Sequence, residues 1–227
     1  MNKYSSQNWL LLLVLTIIFV LNSKFVFALS ININSVINDL RLQLTQDYSK
    51  TFYNQNSYLL IKPKMIVIQI TKSTSLTNAI ETYAPAQINP KKEKYAYYSN
   101  LNIGTHYLID KEGQINELIP STIKARSTIG YNHTAISISN EAYENQGLNF
   151  KQAKSTVDLI NYLKTKHPSI EFVIGHHEYN HKRMPHFKLY HNPNETIKPI
   201  IQINPGWSFM KKIRLMMDPN YKELNFD

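Results

Sequence analysis

The chain has 227 residues and a formal net charge of +9, from 25 Lys and Arg residues against 16 Asp and Glu residues. It contains no cysteine, which excludes disulfides, thiolate metal ligands and lipid-modified cysteine. Hydrophobic residues make up 43% of the chain and aromatic residues 11%, so we expect a folded domain and not a disordered chain.

The first 28 residues have the pattern of a secretory signal peptide. A lysine near the N-terminus precedes a mainly apolar run over residues 9–21, and Val26, Phe27 and Ala28 then match the small-x-small pattern of a signal-peptidase site. We predict cleavage after Ala28, and therefore a secreted or periplasmic protein with no transmembrane helix in its mature form. The apolar run is shorter than the roughly 20 residues that span a bilayer; an uncleaved anchor is the alternative.

No nucleic-acid-binding signature accompanies the basic charge, and exported proteins seldom meet nucleic acid, so no nucleic-acid partner is expected.

Residues 29–60 form an N-terminal segment in which one amphipathic helix is predicted. Ser35 is its expected N-cap. The apolar residues that recur at helical spacing, and that we expect to pack against the following domain, are Val36, Ile37, Leu40, Leu44 and Tyr48.

Residues 61–220 alternate between strand patterns and helical patterns, and residues 221–227 form a C-terminal tail. The strand patterns are KPKMIVIQIT, TAISIS and IEFVIG, with a hairpin in THYLIDKEGQINELIP. The helical patterns are STSLTNAIETYAP, FKQAKSTVDLINYLKTKHP and GWSFMKKIRLMM. This order predicts an α/β fold: a single domain with a mixed central β-sheet flanked by helices and preceded by the N-terminal helix.

Polar side chains stand where three of the predicted strands end. These residues are Gln69, Ser139 and His176. Because ligand sites in sheet-and-helix domains tend to lie at strand ends, we expect the three side chains to line one pocket.

The order of motifs resembles that of a known enzyme family. The motifs are KPKMIVIQIT, NIGTHYLIDKEGQINELIP, ARSTIGYNHTAISISNEA, FVIGHHEY and INPGWSFMKKIR, and together they extend over residues 62–214. The series resembles the zinc-dependent N-acetylmuramoyl-L-alanine amidases, the type that also includes peptidoglycan-recognition domains. The resemblance implies hydrolysis of the amide between the lactyl group of muramic acid and L-alanine of the peptidoglycan stem peptide. It also implies zinc held by two histidines and a third ligand, a glutamate as general base, and a lysine that stabilises the oxyanion.

The resemblance assigns each of these roles to a position, and most positions carry a different residue. The first zinc histidine falls on Gln69, the second on His176, and the third ligand, often aspartate, on Asn204. The glutamate base falls on Ser139 and the lysine on Gln202. Only His176 keeps the residue that the family pattern has, so the two catalytic positions are expected to be inactive.

These substitutions predict that no cofactor binds. Two of the three metal ligands have become neutral amides, whose oxygens suit hard cations better than zinc. General acid–base catalysis contributes about 10²- to 10⁴-fold, and serine cannot supply the missing carboxylate base. The alternative is an active amidase that binds zinc through rearranged ligands.

The resemblance and the neighbouring motifs also suggest residues of a substrate-binding cleft. Ser127 stands where family members usually have a pocket histidine, in a pattern like ARHTIG. His106 and His133 are expected in the scaffold or in the cleft wall, and Tyr107 and Asn132 are further cleft candidates.

The stretch VIGHHEYNHKRMPHFKLYH, residues 173–191, holds five of the eight histidines of the chain. One interpretation is a relocated zinc site that includes His176. The favoured interpretation is a basic surface loop, with Lys182, Arg183 and Lys188 on the rim of the cleft, because Pro185 and the lack of apolar periodicity argue against a helix.

The sequence therefore predicts an exported, catalytically degenerate member of the amidase family. Its expected partners are peptidoglycan or muropeptides, and an active amidase or another envelope protein is a further candidate partner. The alternatives are the active amidase described above and a structural domain that binds a protein partner and has no affinity for the cell wall.

Overall fold

The computed structural model describes residues 29–90, 99–143, 147–192 and 200–222. Its strands are β1 (Ile31–Ile33), β2 (Met65–Ile70), β3 (Tyr107–Ile109), β4 (Ile115–Glu117), β5 (Ala135–Asn140) and β6 (Phe172–Gly175). Its α-helices are α1 (Asp39–Tyr53), α2 (Leu76–Tyr83), α3 (Phe150–Lys166) and α4 (Trp207–Met217). Two short 3-10 helices, His176–Glu178 and Pro185–Leu189, follow β6.

All six strands belong to one sheet, in the order β1-β4-β3-β5-β2-β6. The predicted hairpin forms the antiparallel pair β3–β4, and the other neighbours in the sheet are parallel. The predicted single α/β domain with a mixed, helix-flanked sheet is therefore confirmed.

The two faces of the sheet have different surroundings. Ile66 and Ile68 of β2, with the aligned isoleucines of β5, pack in one hydrophobic cluster with apolar residues of α3 and α4. Because side chains alternate along a strand, Gln69 and Ser139 lie on the opposite face. The polar strand ends therefore point away from α3 and α4.

The predicted start of the N-terminal helix was wrong, whereas its predicted packing residues are buried or partly buried except for Leu40. The helix begins at Asp39, and its N-cap is Asn38, whose side chain accepts a hydrogen bond from the Arg41 amide at 2.8 Å. Leu40, predicted to be buried, is 49% exposed, whereas Arg41 is buried. Residues 31–33 form β1, which the sequence did not predict, and the backbone amides of residues 34 and 36 go on to donate to carbonyls at the end of β4. This pairing keeps the chain extended up to the N-cap.

The predicted signal peptide lies outside the described residues, as does the end of the C-terminal tail from residue 223. Of the helices that are described, none combines the length and the apolar composition required to span a membrane.

Candidate functional site

A cavity of about 180 Å³ lies beside the ends of β2 and β6. Its lining includes six of the positions singled out from the sequence: Gln69, Ser127, Asn132, His176, Gln202 and Asn204. The structure thus brings together the three positions to which the resemblance assigns the metal ligands, although they are spread over the chain from residue 69 to residue 204.

Ser139 lies behind Gln69 and is fully buried. The Gln69 Nε2 amide donates to Ser139 Oγ at 2.9 Å, and the Ser139 hydroxyl donates to Thr105 Oγ1 at 3.0 Å. The Thr105 hydroxyl donates in turn to the backbone carbonyl of Tyr107 at 3.1 Å. The Ser139 hydroxyl is therefore held between two neutral side chains, Gln69 and Thr105.

Asn204 is held in a second set of hydrogen bonds. Its side-chain Oδ1 accepts from the Ile70 amide at 3.3 Å, and its Nδ2 donates to Gln202 Oε1 at 3.3 Å. Its backbone carbonyl accepts from the His177 amide at 2.8 Å. The side-chain oxygen that would face a metal ion is therefore already an acceptor for the backbone of β2.

His176 follows β6 directly and is half-buried in the cavity wall. Burial, together with the nearby charge of Lys72, holds the pKa of His176 to about 4, although a side-chain hydrogen bond with Asn204 acts in the opposite direction. The imidazole is therefore neutral at physiological pH.

The residues at the family's metal position do not fit a zinc ion. Catalytic zinc sites use three protein ligands drawn from histidine, carboxylates and cysteine, and here one imidazole stands with two amides that bond to protein groups. Within the part of the chain that the structure describes, no three His, Asp or Glu side chains are grouped so that they could hold a metal. This also leaves the relocated zinc site without a ligand set among those residues.

We expect zinc to leave the melting temperature of the protein unchanged. A ligand present at 100 times its dissociation constant raises the free energy of unfolding by about 2.7 kcal/mol, and in a chain of this size that is a shift of roughly 5–10 °C. Thermal unfolding followed by circular dichroism, in zinc and in EDTA, measures the difference. A zinc-dependent rise of several degrees that disappears in a His176→Ala variant would show a working metal site.

Three residues predicted for the substrate cleft lie outside the described lining of the cavity. His106 is fully buried, and its ring accepts from the Ser137 amide at 2.9 Å. Tyr107 is also buried and donates its hydroxyl to Glu117 at 2.9 Å. The His133 ring packs on the Tyr53 ring with their centroids 4.6 Å apart.

The histidine-rich stretch does not form a simple surface loop. Lys182, Arg183 and Lys188 are exposed, but Glu178 and His186 are fully buried, so the surface-loop prediction was wrong for these two residues. Glu178 binds Arg214 of α4, which supplies the partner that allows a carboxylate to be buried there.

The cavity also has residues that the sequence reasoning missed. Lys72 and Arg126 line it and bring positive charge, and no Asp or Glu occurs among its described lining residues. The sequence could have indicated both residues, because Lys72 lies three residues after Gln69 and Arg126 directly precedes Ser127.

The sequence model of a family described as N-acetylmuramoyl-L-alanine amidase matches residues 60–187, more than half of the chain. No curated protein matches significantly. Among solved structures, the N-acetylmuramoyl-L-alanine amidase LysC from Clostridium intestinale URNW is 19% identical, with 83% of this chain and 97% of that chain covered and a TM-score of 0.48. PGRP-SA of Apis mellifera is 21% identical, with 69% and 85% covered and a TM-score of 0.47. The Ph2119 endolysin, from Thermus scotoductus MAT2119 bacteriophage Ph2119, is 16% identical, with 81% and 99% covered and a TM-score of 0.44. On the match to the sequence model, this chain belongs to the N-acetylmuramoyl-L-alanine amidase family.

Proposed function

We propose that this protein is an exported, degenerate amidase that binds peptidoglycan or muropeptides in the cavity and does not hydrolyse them efficiently. The observation that carries the proposal is the hydrogen-bonded network of neutral groups at the positions of the metal ligands and of the base. In that network Gln69 donates to Ser139, and Asn204 bonds to Ile70 and Gln202.

Loss of hydrolysis follows from the chemistry of this network. Activation of a water molecule needs either a metal ion or an effective base. The lining residues that the structure describes include no carboxylate and one imidazole, His176, which its pKa of about 4 makes a weak base. Amide and hydroxyl groups that bond to one another satisfy a buried site without unpaired charge, which supports a fold that is stable without metal.

Binding remains chemically reasonable for the same cavity. Its amides and hydroxyls can exchange hydrogen bonds with a peptide or an N-acetyl group, and Ile70, Ile103 and Ile129 add apolar surface. Lys72 and Arg126 favour a ligand with carboxylates, as a stem peptide has. The basic net charge of the chain supports attraction to anionic wall material over a longer range.

The proposal is tested by incubating the purified protein with sacculi at physiological salt. We expect the protein to be retained in the pellet and no muropeptide to appear in the supernatant by chromatography. Absence from the pellet rejects wall binding and favours a domain that binds only proteins. Released muropeptides would instead identify an active amidase.

A blocked variant distinguishes binding in the cavity from adsorption of a basic protein. Ser127→Trp places a large ring in the cavity without a change of charge, and we expect about a tenfold loss of retention, which corresponds to roughly 1.4 kcal/mol of binding free energy. The matched control is Thr165→Trp on the exposed face of α3, which should be retained like the wild type. Equal retention of both variants would place wall binding elsewhere on the surface.

A further inference from the structure

Helix α1 lies outside the residues that the family's sequence model matches, and it packs beside the cavity. Arg41 and Tyr48 are seven residues apart, two helical turns, and therefore share one face of α1. Both side chains are buried. We propose that these two residues position the walls of the ligand cavity, so that α1 is a built-in part of the binding site; this inference rests on the proposed function.

Tyr48 acts on one wall through Asn132. The Asn132 Nδ2 amide donates to the Tyr48 hydroxyl at 2.8 Å, and this bond fixes the orientation of the Asn132 side chain. Asn132 Oδ1 then accepts from the backbone amides of Ser127 at 3.0 Å and Thr128 at 2.7 Å. Ser127 and Asn132 both line the cavity, so the Tyr48 hydroxyl sets the shape of this wall although Tyr48 is not among the lining residues.

The ring of Tyr48 has a second contact on the same wall. The Arg126 guanidinium lies over it, with Cζ 5.8 Å from the ring centroid. Arg126 also donates to the backbone carbonyls of Ser99 and Leu101. The Arg126 guanidinium, which lines the cavity, is thus held between α1 and the loop that contains Ser99 and Leu101.

Arg41 acts on a different wall of the cavity. Its Nη2 donates to the backbone carbonyls of Tyr83 at 2.5 Å and Pro85 at 2.6 Å, at the end of α2. A Cβ atom on Gly104 would lie only 3.3 Å from Arg41 Nη1, so the guanidinium packs directly behind the glycine backbone. Tyr83 and Gly104 both line the cavity, which gives α1 a contact with each of two walls.

The test is the Tyr48→Phe variant, which removes one hydroxyl and keeps the ring. The Asn132 amide then lacks its acceptor and is no longer held in one orientation, so we expect a muropeptide to bind about 5- to 20-fold more weakly, measured by calorimetry. Thr156→Val is the matched control, because it removes one buried hydrogen bond, from Thr156 to Asn140 at 3.2 Å, on the far side of the sheet. The control should lose stability and bind like the wild type.

Hydrogen exchange of the Ser127 and Thr128 amides gives a readout that needs no ligand. We expect faster exchange of both amides in Tyr48→Phe and unchanged exchange in Thr156→Val. Wild-type affinity in Tyr48→Phe, or equal loss of affinity in both variants, would overturn the inference. If the wild type binds no muropeptide, the proposed function fails by itself, and unchanged exchange at these two amides would then overturn the positioning role.

Discussion

The Glu178→Ala variant is expected to unfold with a free energy about 3–5 kcal/mol below that of the wild type. Glu178 is fully buried, and its carboxylate accepts from Arg214 Nη2 at 2.6 and 2.8 Å and from the Gly175 amide at 2.7 Å. Alanine leaves the Arg214 charge without its partner and the Gly175 amide without an acceptor. Urea unfolding followed by circular dichroism measures the loss.

Two controls distinguish the cost of leaving the buried Arg214 charge unpaired from the cost of removing a carboxylate alone. The exposed pair of Lys151 and Glu112, 2.5 Å apart, offers Glu112→Ala, for which we expect little change because solvent screens exposed ion pairs. Replacing both buried partners, as Glu178→Leu with Arg214→Met, should recover the part of the stability that is lost to the unpaired Arg214 charge, while the Gly175 amide still lacks its acceptor. A Glu178→Ala variant within the error of the wild type would contradict the structural role of the pair.

The sheet was largely predictable because β2 and β6 are short continuous apolar runs and the residues of β5 alternate cleanly. In β5 the isoleucines face α3 and α4, as the pattern indicated. The pattern did not indicate that Ser137 and Ser139 are equally buried. Alternation separates the two faces of a strand, but it does not tell whether the polar face meets water or an internal hydrogen-bond network.

Helix α1 was poorly predicted for a related reason. Hydrophobic periodicity assigned Leu40 to the buried face, and the structure buries Arg41 there instead. The helix packs on loops whose carbonyls, including those of Tyr83 and Pro85, need donors, and arginine supplies them. A pattern of apolar residues carries no information about such a polar interface.

The cavity was predictable in part from the polar strand ends, which indicated Gln69 and His176, and in part from the family pattern, which added Asn204. All three residues line one cavity. The neighbouring motifs also suggested His106 and Tyr107 for the cleft, and the structure buries both side chains. Position along the chain does not fix the direction of a side chain at the start of a short strand.

Acid is expected to weaken the fold through His106. Burial holds the pKa of His106 to about 4 in the folded protein, whereas an unfolded chain has a histidine pKa of about 6.5. The unfolded state therefore binds the proton first, and the stability from neutral His106 is complete above about pH 6.5 and is lost as the pH falls towards 4. The loss by pH 4 is on the order of 3 kcal/mol.

The hydrogen bonds of the ring fix the tautomer of this neutral form. The Ser137 amide donates to His106 Nδ1 at 2.9 Å, so the proton lies on Nε2, which faces the Ile123 carbonyl at 2.8 Å. A second proton on Nδ1 would oppose the Ser137 N–H. We therefore expect His106→Gln, whose amide presents the same donor and acceptor without titrating, to show a shallower fall in unfolding free energy between pH 7 and pH 4.5. The control is Thr156→Val, which changes no titrating group. Its unfolding free energy should be lower than that of the wild type and should fall with pH at the wild-type slope. If the unfolding free energy of His106→Gln ran parallel to that of the wild type, the depressed pKa of His106 would be contradicted.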